Sequence, residues 1–153
     1  MNIIRTKLSG VAIITPDVYE DNRGYFKETL NKYYGFQPMQ ANQSVSSKGV
    51  IRGLHNQVGA AKLVWVVKGS IYDVAFHDGE WVGETLTAEN HKQLFIPGHM
   101  YHGFQALEDD TIVCYLMGDY YNAGLENAIN PSVIDWPLEE KIISEKDRNA
   151  PSL

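Results

Sequence analysis

Short apolar runs, each closed by a turn signal, recur along nearly the whole chain and leave room for little but an all-β fold. Residues 11–14 are apolar and stop at Thr15-Pro16-Asp17, a turn sequence. Residues 63–67 are β-branched and aromatic, end at Lys68-Gly69 and are followed by a second apolar run over 71–76. That pairing reads as a hairpin. Asp78-Gly79 predicts another tight turn, with Trp81-Val82 and 85–87 beyond it. Residues 93–96 run into Pro97-Gly98, and 103–107 with 111–117, split by Glu108-Asp109-Asp110, read as a further strand pair. Strands this short and this regularly punctuated predict a barrel or sandwich. Helix signals are few: 28–34 fits a short helix or a strand, and the tail after Ser144 fits a helical turn. The 153 residues fit one domain, 1–153, large enough to build a core without staples.

A net charge of -6 argues against nucleic acid as a partner, since phosphate backbones need a basic face. A single cysteine, Cys114, rules out an intramolecular disulfide and suits a reducing compartment; within its apolar run it reads as a buried, inert thiol. No signal-peptide core and no bilayer-length apolar run is present, so a cytoplasmic protein without a membrane partner is expected.

Chemistry-bearing residues fall in a few places. Arg52 stands three residues before His55, a cation suited to phosphate beside a group that titrates near neutrality. Lys62 opens the run before Lys68-Gly69. On a hairpin it shares a face with Asp73, and the apolar residues between them leave open whether that face is inner or outer. His99 and His102 follow the Pro97-Gly98 turn, and His99 reads as a turn or surface residue. A metal site needs three or four converging ligands. His77, His99 and His102 are the candidates to join His55, but Gln57 occupies the place where metal-binding cupins put a second histidine, so no metal is expected. Tyr115 lies in an apolar run with Tyr120-Tyr121 close behind; a tyrosine can donate a proton or stack on a base, though nine tyrosines make core packing the simpler reading for each.

In order and spacing, several motifs together resemble the dTDP-4-dehydrorhamnose 3,5-epimerase family of cupin-like proteins. They are Asp21-Asn22-Arg23-Gly24-Tyr25-Phe26-Lys27-Glu28; Gln40-Ala41-Asn42-Gln43-Ser44; Lys48-Gly49-Val50-Ile51-Arg52-Gly53-Leu54-His55; and Lys62-Leu63-Val64. Ile96-Pro97 with His102-Gly103-Phe104, Tyr115 with Asp119-Tyr120-Tyr121 and Glu126, and Ser144-Glu145-Lys146-Asp147 complete the set. The resemblance implies an all-β, cupin-like jelly-roll barrel with few short helices. It implies His55 as general base, Asp147 as the carboxylate that orients it, Tyr115 as proton donor from the opposite face, and Lys62 near the enolate oxygen with Asp73 beside it. Arg23, Glu28, Gln40, Asn42, Arg52, His102, Glu126 and Lys146 match substrate contacts, and Tyr121 matches a tyrosine stacked on the nucleobase. The implied substrate is a nucleotide sugar, dTDP-linked first of all. The implied assembly is a homodimer that exchanges an N-terminal segment.

The chemistry is coherent. A ketone at C4 acidifies C3–H and C5–H, a base on one face and an acid on the other invert the centre, and each donor to the enolate oxygen is commonly worth about 3 kcal/mol. No cofactor is needed. Departures from the family pattern cluster around the site: Asn56 replaces an aromatic residue, Trp65 an arginine and His77 an aspartate, while His99-Met100-Tyr101 replaces Gly-Phe-Ala. They bear on the sugar and on which centres invert more than on the reaction type. A 3,4-ketoisomerase of related type, a metal-binding cupin and a non-catalytic sugar-nucleotide binder are the alternatives.

Overall fold

The computed structural model describes residues 1–153, the side chain of residue 33 excepted. In chain order the strands are β1 (Asn2–Arg5), β2 (Ala12–Thr15), β3 (Val18–Asp21), β4 (Gly24–Lys27), β5 (Gln40–Ser46), β6 (Val50–Gln57) and β7 (Lys62–Lys68). They continue with β8 (Ser70–His77), β9 (Glu80–Thr87), β10 (Gln93–Ile96), β11 (Tyr101–Ala106), β12 (Thr111–Met117), β13 (Glu126–Ala128) and β14 (Ile142–Ile143). One sheet has the order β1-β2-β10-β7-β12-β5, and the other has β13-β6-β11-β8-β9 with β14 on β6. Strands β3 and β4 form a separate hairpin. The outcome is the all-β, cupin-like barrel expected of the sequence.

Two strand pairings differ from expectation. β7 and β8 are not a hairpin, and β11 and β12 are not a pair; in each case the chain crosses from one sheet to the other. The reason is burial on both faces. Leu63 and Val64 are fully buried, as are Val74 and Ala75, so each of these strands sits inside its own sheet between two neighbours. A two-stranded ribbon cannot cover both faces; two facing sheets can. Gly69 makes the corner at φ +85, where a Cβ would stand 2.4 Å from Thr111 Oγ1. The Asp78-Gly79 turn behaves as predicted. His77 pairs with Glu80, and both turn residues have positive φ (49° and 79°), as a type I′ hairpin needs.

The core between the sheets contains Val64, Val66, Ile71, Ala75, Leu94, Phe104 and Val113. A second cluster on the outer side of β6 and β8 joins Leu54, Val74 and Phe76 to Ile129, Ile134 and Trp136. Each such aliphatic side chain contributes about 1.5–3 kcal/mol when fully buried. Residues 28–34 resolve into a single 3-10 turn, Lys32–Tyr34. The tail forms the predicted helical turn, α1 (Glu145–Arg148), capped by the Ser144 side chain, which accepts from the Asp147 N–H. Cys114 is half-buried rather than buried: it alternates with the inward Val113 and Tyr115, lies 3.6 Å from Gln43 Oε1, and burial pushes its thiol pKa upward. Among the described residues, no helix is long and apolar enough to cross a membrane.

Candidate active site

The inward positions of β7 and β8 carry one polar residue each among their apolar neighbours. On β7 the series Lys62, Val64, Val66 runs from the barrel mouth into the core; on β8 Asp73 lies between Ile71 and Ala75. Lys62 and Asp73 therefore face the same interior from opposite sheets, not diagonally across a hairpin. The mouth is a cavity of about 490 Å³, lined among others by Asn42, Arg52, His55, Lys62, His102, Tyr115, Lys146 and Asp147. A smaller recess against His55, Lys62 and Tyr115 is closed by Gln57, Tyr121 and Glu126.

His55 is placed by an irregularity in β6. Its strand partner in β11 is His102, with a register shift at Gly103. Gly53 opposes that shift at φ +119, where a Cβ would lie 2.6 Å from the His102 carbonyl oxygen, so no other residue fits without displacing β11. The His55 Nε2 lies 2.6 Å from Asp147 Oδ1, and the Gly53 N–H donates to Asp147 Oδ2 at 3.2 Å. Burial alone would raise the Asp147 carboxyl, but His55, the Gly53 N–H and Ser144 outweigh it and hold it below its ordinary 3.8. Asp147 is thus ionised and only accepts, so Nε2–H of His55 is the donor and Nδ1 is the nitrogen left free of Asp147. A depressed carboxylate stabilises the fold above its unfolded pKa and loses that contribution as pH falls through the folded value. Asp147→Asn is therefore expected to flatten the decline of Tm with pH below 3.8, read by thermal melts across that range.

The facing wall holds Lys62 and Tyr115. Lys62 Nζ lies 5.9 Å from the centre of the Tyr115 ring. Burial depresses the lysine against the opposing pull of Glu126 and Asp73. Burial also raises Tyr115, so its phenol keeps its proton at neutral pH. Asp73 is fully buried, with Oδ1 2.6 Å from His102 Nε2 and Oδ2 without a hydrogen-bond partner among the described residues.

At the rim, Glu126 accepts from the Tyr121 hydroxyl at 2.5 Å and from Lys146 at 3.4 Å, and its Oε1 is 3.5 Å from His55 Nδ1. Burial pushes Glu126 up, but Tyr121, His55 and Lys146 bring the net shift down. Gln40 donates to Asn42 and accepts from the Tyr121 N–H, and Arg52 is braced by Ser46 Oγ and the Val45 carbonyl.

Two expected contacts lie elsewhere. Arg23 sits at the tip of the β3–β4 hairpin, paired with Asp21 and 85% exposed, and Glu28 accepts from Asn31. Neither lines the cavity of its own chain. The hairpin follows its own register, with Val18 opposite Lys27 and no pairing to either large sheet. The histidines do not converge: His77 and His99 stack edge to face at 5.0 Å outside the cavity lined by His55 and His102. His99 occupies an exposed turn, as expected. Two polar residues were given no part in the site by the sequence reading. Ser44, in register with Asn42 by the strand period of two, has a buried hydroxyl in the cavity wall with no hydrogen-bond partner among the described residues. Gln57, two residues after His55, grips the loop that carries Tyr121.

A carboxylate-backed imidazole on one wall, with a protonated phenol and a lysine on the other, is equipment for moving protons on and off carbon beside a carbonyl. This is the working constellation of a cupin-like isomerase. The family profile of dTDP-4-dehydrorhamnose 3,5-epimerase matches residues 5–153. The dTDP-4-dehydrorhamnose 3,5-epimerase of Methanothermobacter thermautotrophicus is 44% identical, over 95% of this chain and 91% of its own. The crystal structure of the Elizabethkingia anophelis enzyme of the same name is 36% identical and superposes with a TM-score of 0.93, over 99% and 96% of the two chains. A dTDP-6-deoxy-D-glucose-3,5-epimerase from Legionella pneumophila, solved with dTDP-4-keto-L-rhamnose, is 37% identical with a TM-score of 0.92, over 99% and 92%. The chain belongs to the dTDP-4-dehydrorhamnose 3,5-epimerase family, and it is an isomerase.

Proposed function

We propose that this protein inverts C3, C5 or both of a dTDP-linked 4-keto-6-deoxyhexose through an enolate, in deoxysugar biosynthesis. The observation that carries this reading is the placement of base and acid. His55 comes from the β6 sheet and Tyr115 from the β12 sheet, on opposite walls of one cavity. His55 Nδ1 takes the proton from the carbon beside the C4 ketone, and Asp147 stabilises the imidazolium that forms. Lys62 meets the negative charge growing on the C4 oxygen, with Glu126 and Asp73 opposing the effect of burial on its own charge. Tyr115 returns a proton from the other side, which inverts the centre.

Tyr121 stacks on the nucleobase, and Arg52 and Lys146 supply positive charge for the diphosphate. Gln40, Asn42, His102 and Glu126 complete the contacts. The cavity volume suits a ligand of this size. Enolate chemistry of this kind draws on no redox cofactor. The test is incubation in D2O with dTDP-4-keto-6-deoxyglucose followed by mass spectrometry and proton NMR. Two deuterons mean inversion at both carbons, one means a single centre, and none from any 4-keto sugar nucleotide rejects the reading.

The reading includes a cytoplasmic, one-domain enzyme that acts as a homodimer, with each β3–β4 hairpin reaching the partner's cavity. Tyr19, Tyr25 and Phe26 on that hairpin are exposed at 62%, 56% and 63%, an apolar surface larger than a free tip needs. Arg23 and Glu28 then serve the opposite site. Mixing Arg23→Ala with His55→Ala chains, each inactive alone, is expected to restore activity to about a quarter of wild type, because random pairing gives half mixed dimers with one intact site each. No recovery after mixing and subunit exchange rules out the shared site.

A further inference from the structure

We infer that Gln57 is a positioning residue for nucleotide binding: it clamps the backbone on both sides of Tyr121 and so fixes the stacking ring relative to His55. The inference rests on the proposed stacking of Tyr121 on the nucleobase.

Tyr121 is half exposed, on a loop between β12 and β13. An exposed aromatic in such a connection ordinarily samples many orientations, and ordering it on binding costs affinity. Here the ring is held at several points before any ligand arrives. Gln57 is 3% exposed, and both ends of its amide are engaged. Nε2 donates to the Tyr120 carbonyl at 2.9 Å, and Oε1 accepts from the Asn122 N–H at 3.0 Å. The two bonds straddle residue 121. The Tyr121 N–H itself donates to Gln40 Oε1 at 2.9 Å, and its hydroxyl donates to Glu126.

The position of the clamp in the sequence gives it a second consequence. Gln57 is two residues beyond His55 on the same strand, and its register partner on β13 is Glu126. One strand therefore carries the proposed base and the anchor of the base-stacking loop. The distance between the reacting carbon and the nucleobase is measured along β6. No other side chain of matching length offers both a donor and an acceptor: glutamate loses the donor, and methionine loses both at nearly constant volume. A residue that only filled space at this point would be replaceable by methionine.

The experiment is a double-mutant cycle on dTDP affinity by titration calorimetry, using wild type, Gln57→Met, Tyr121→Ala and the double variant. Tyr121→Ala is expected to weaken binding about tenfold or more through lost stacking. Gln57→Met is expected to weaken it about tenfold and to raise KM for the sugar nucleotide far more than it lowers kcat. The double variant should bind no more weakly than Tyr121→Ala alone, because Gln57 acts through that ring. Gln57→Asn, whose amide is one methylene too short to reach both backbone groups, should also weaken dTDP binding, and it carries the cycle if the methionine chain does not fold. Effects that simply add, or a Gln57 variant that folds and binds dTDP as wild type does, overturn the inference and leave the stacking reading intact. Wild-type affinity in Tyr121→Ala overturns the stacking reading and this inference with it.

Discussion

His55→Ala is expected to fold, to bind dTDP, and to take up no deuterium from D2O at either carbon of the 4-keto sugar. The imidazole lines the cavity and is about a quarter exposed, so its loss leaves the hydrophobic core of the barrel in place. General-base catalysis by a positioned side chain contributes roughly 10²–10⁴-fold. The loss here should lie at the top of that range, since Asp147 cannot reach the substrate in its place: one of its oxygens is held by the Gly53 N–H and the other faces the vacated imidazole site. Rates of exchange and of inversion should fall together. Exchange that survives at the wild-type rate would place the base elsewhere, with Glu126 the first alternative because Oε1 already stands 3.5 Å from Nδ1.

Tyr115→Phe separates the two halves of the reaction. The phenol faces the cavity from the wall opposite His55, and burial keeps it protonated. Without it, His55 still removes a proton and returns a deuteron to the same face. The expected result is deuterium accumulating in unchanged starting epimer, while inversion slows about a hundredfold. Proton NMR of the recovered sugar distinguishes the two outcomes directly. The side chain loses only a hydroxyl, whose neighbour Asn42 retains a second partner in Met117 Sδ, so folding is not at issue. Inversion at the wild-type rate would assign the second proton to water or to another residue.

The parts of this design that could be read from the sequence are those governed by local rules. The Asp78-Gly79 turn, the strands between 62 and 117 and the helical turn after Ser144 each depend on a few adjacent residues, and each appears where the pattern puts it; the strand that carries His55 did not announce itself in this way. Strand partners did not follow in the same way. Leu63–Val64 and Val74–Ala75 are apolar on both faces, so periodicity gives no inside and no outside, and chain proximity suggested a hairpin where the fold makes a crossing between sheets. The dyad lay beyond any local reading. His55 and Asp147 are 92 residues apart, and only the resemblance joined them. Arg23 and Glu28 were legible as motif positions but not as places in space, since neither lines the cavity of its own chain. Gln57 was read only as the absence of a metal ligand, because a glutamine in a strand carries no chemical signature until the loop it grips is seen.

The order of the site along the chain has a bearing on what a shortened protein keeps. Every strand, from β1 to β14, precedes Asp147 in the chain. The proposed partner of His55 comes from α1, tied back through Asn130 to Arg148 and Pro151, and the same segment brings Lys146 and Asp147 to the cavity wall. A protein cut after β14 thus keeps every strand and loses one wall of the vessel together with the carboxylate, so a folded but inactive truncation is the expected product of such a cut.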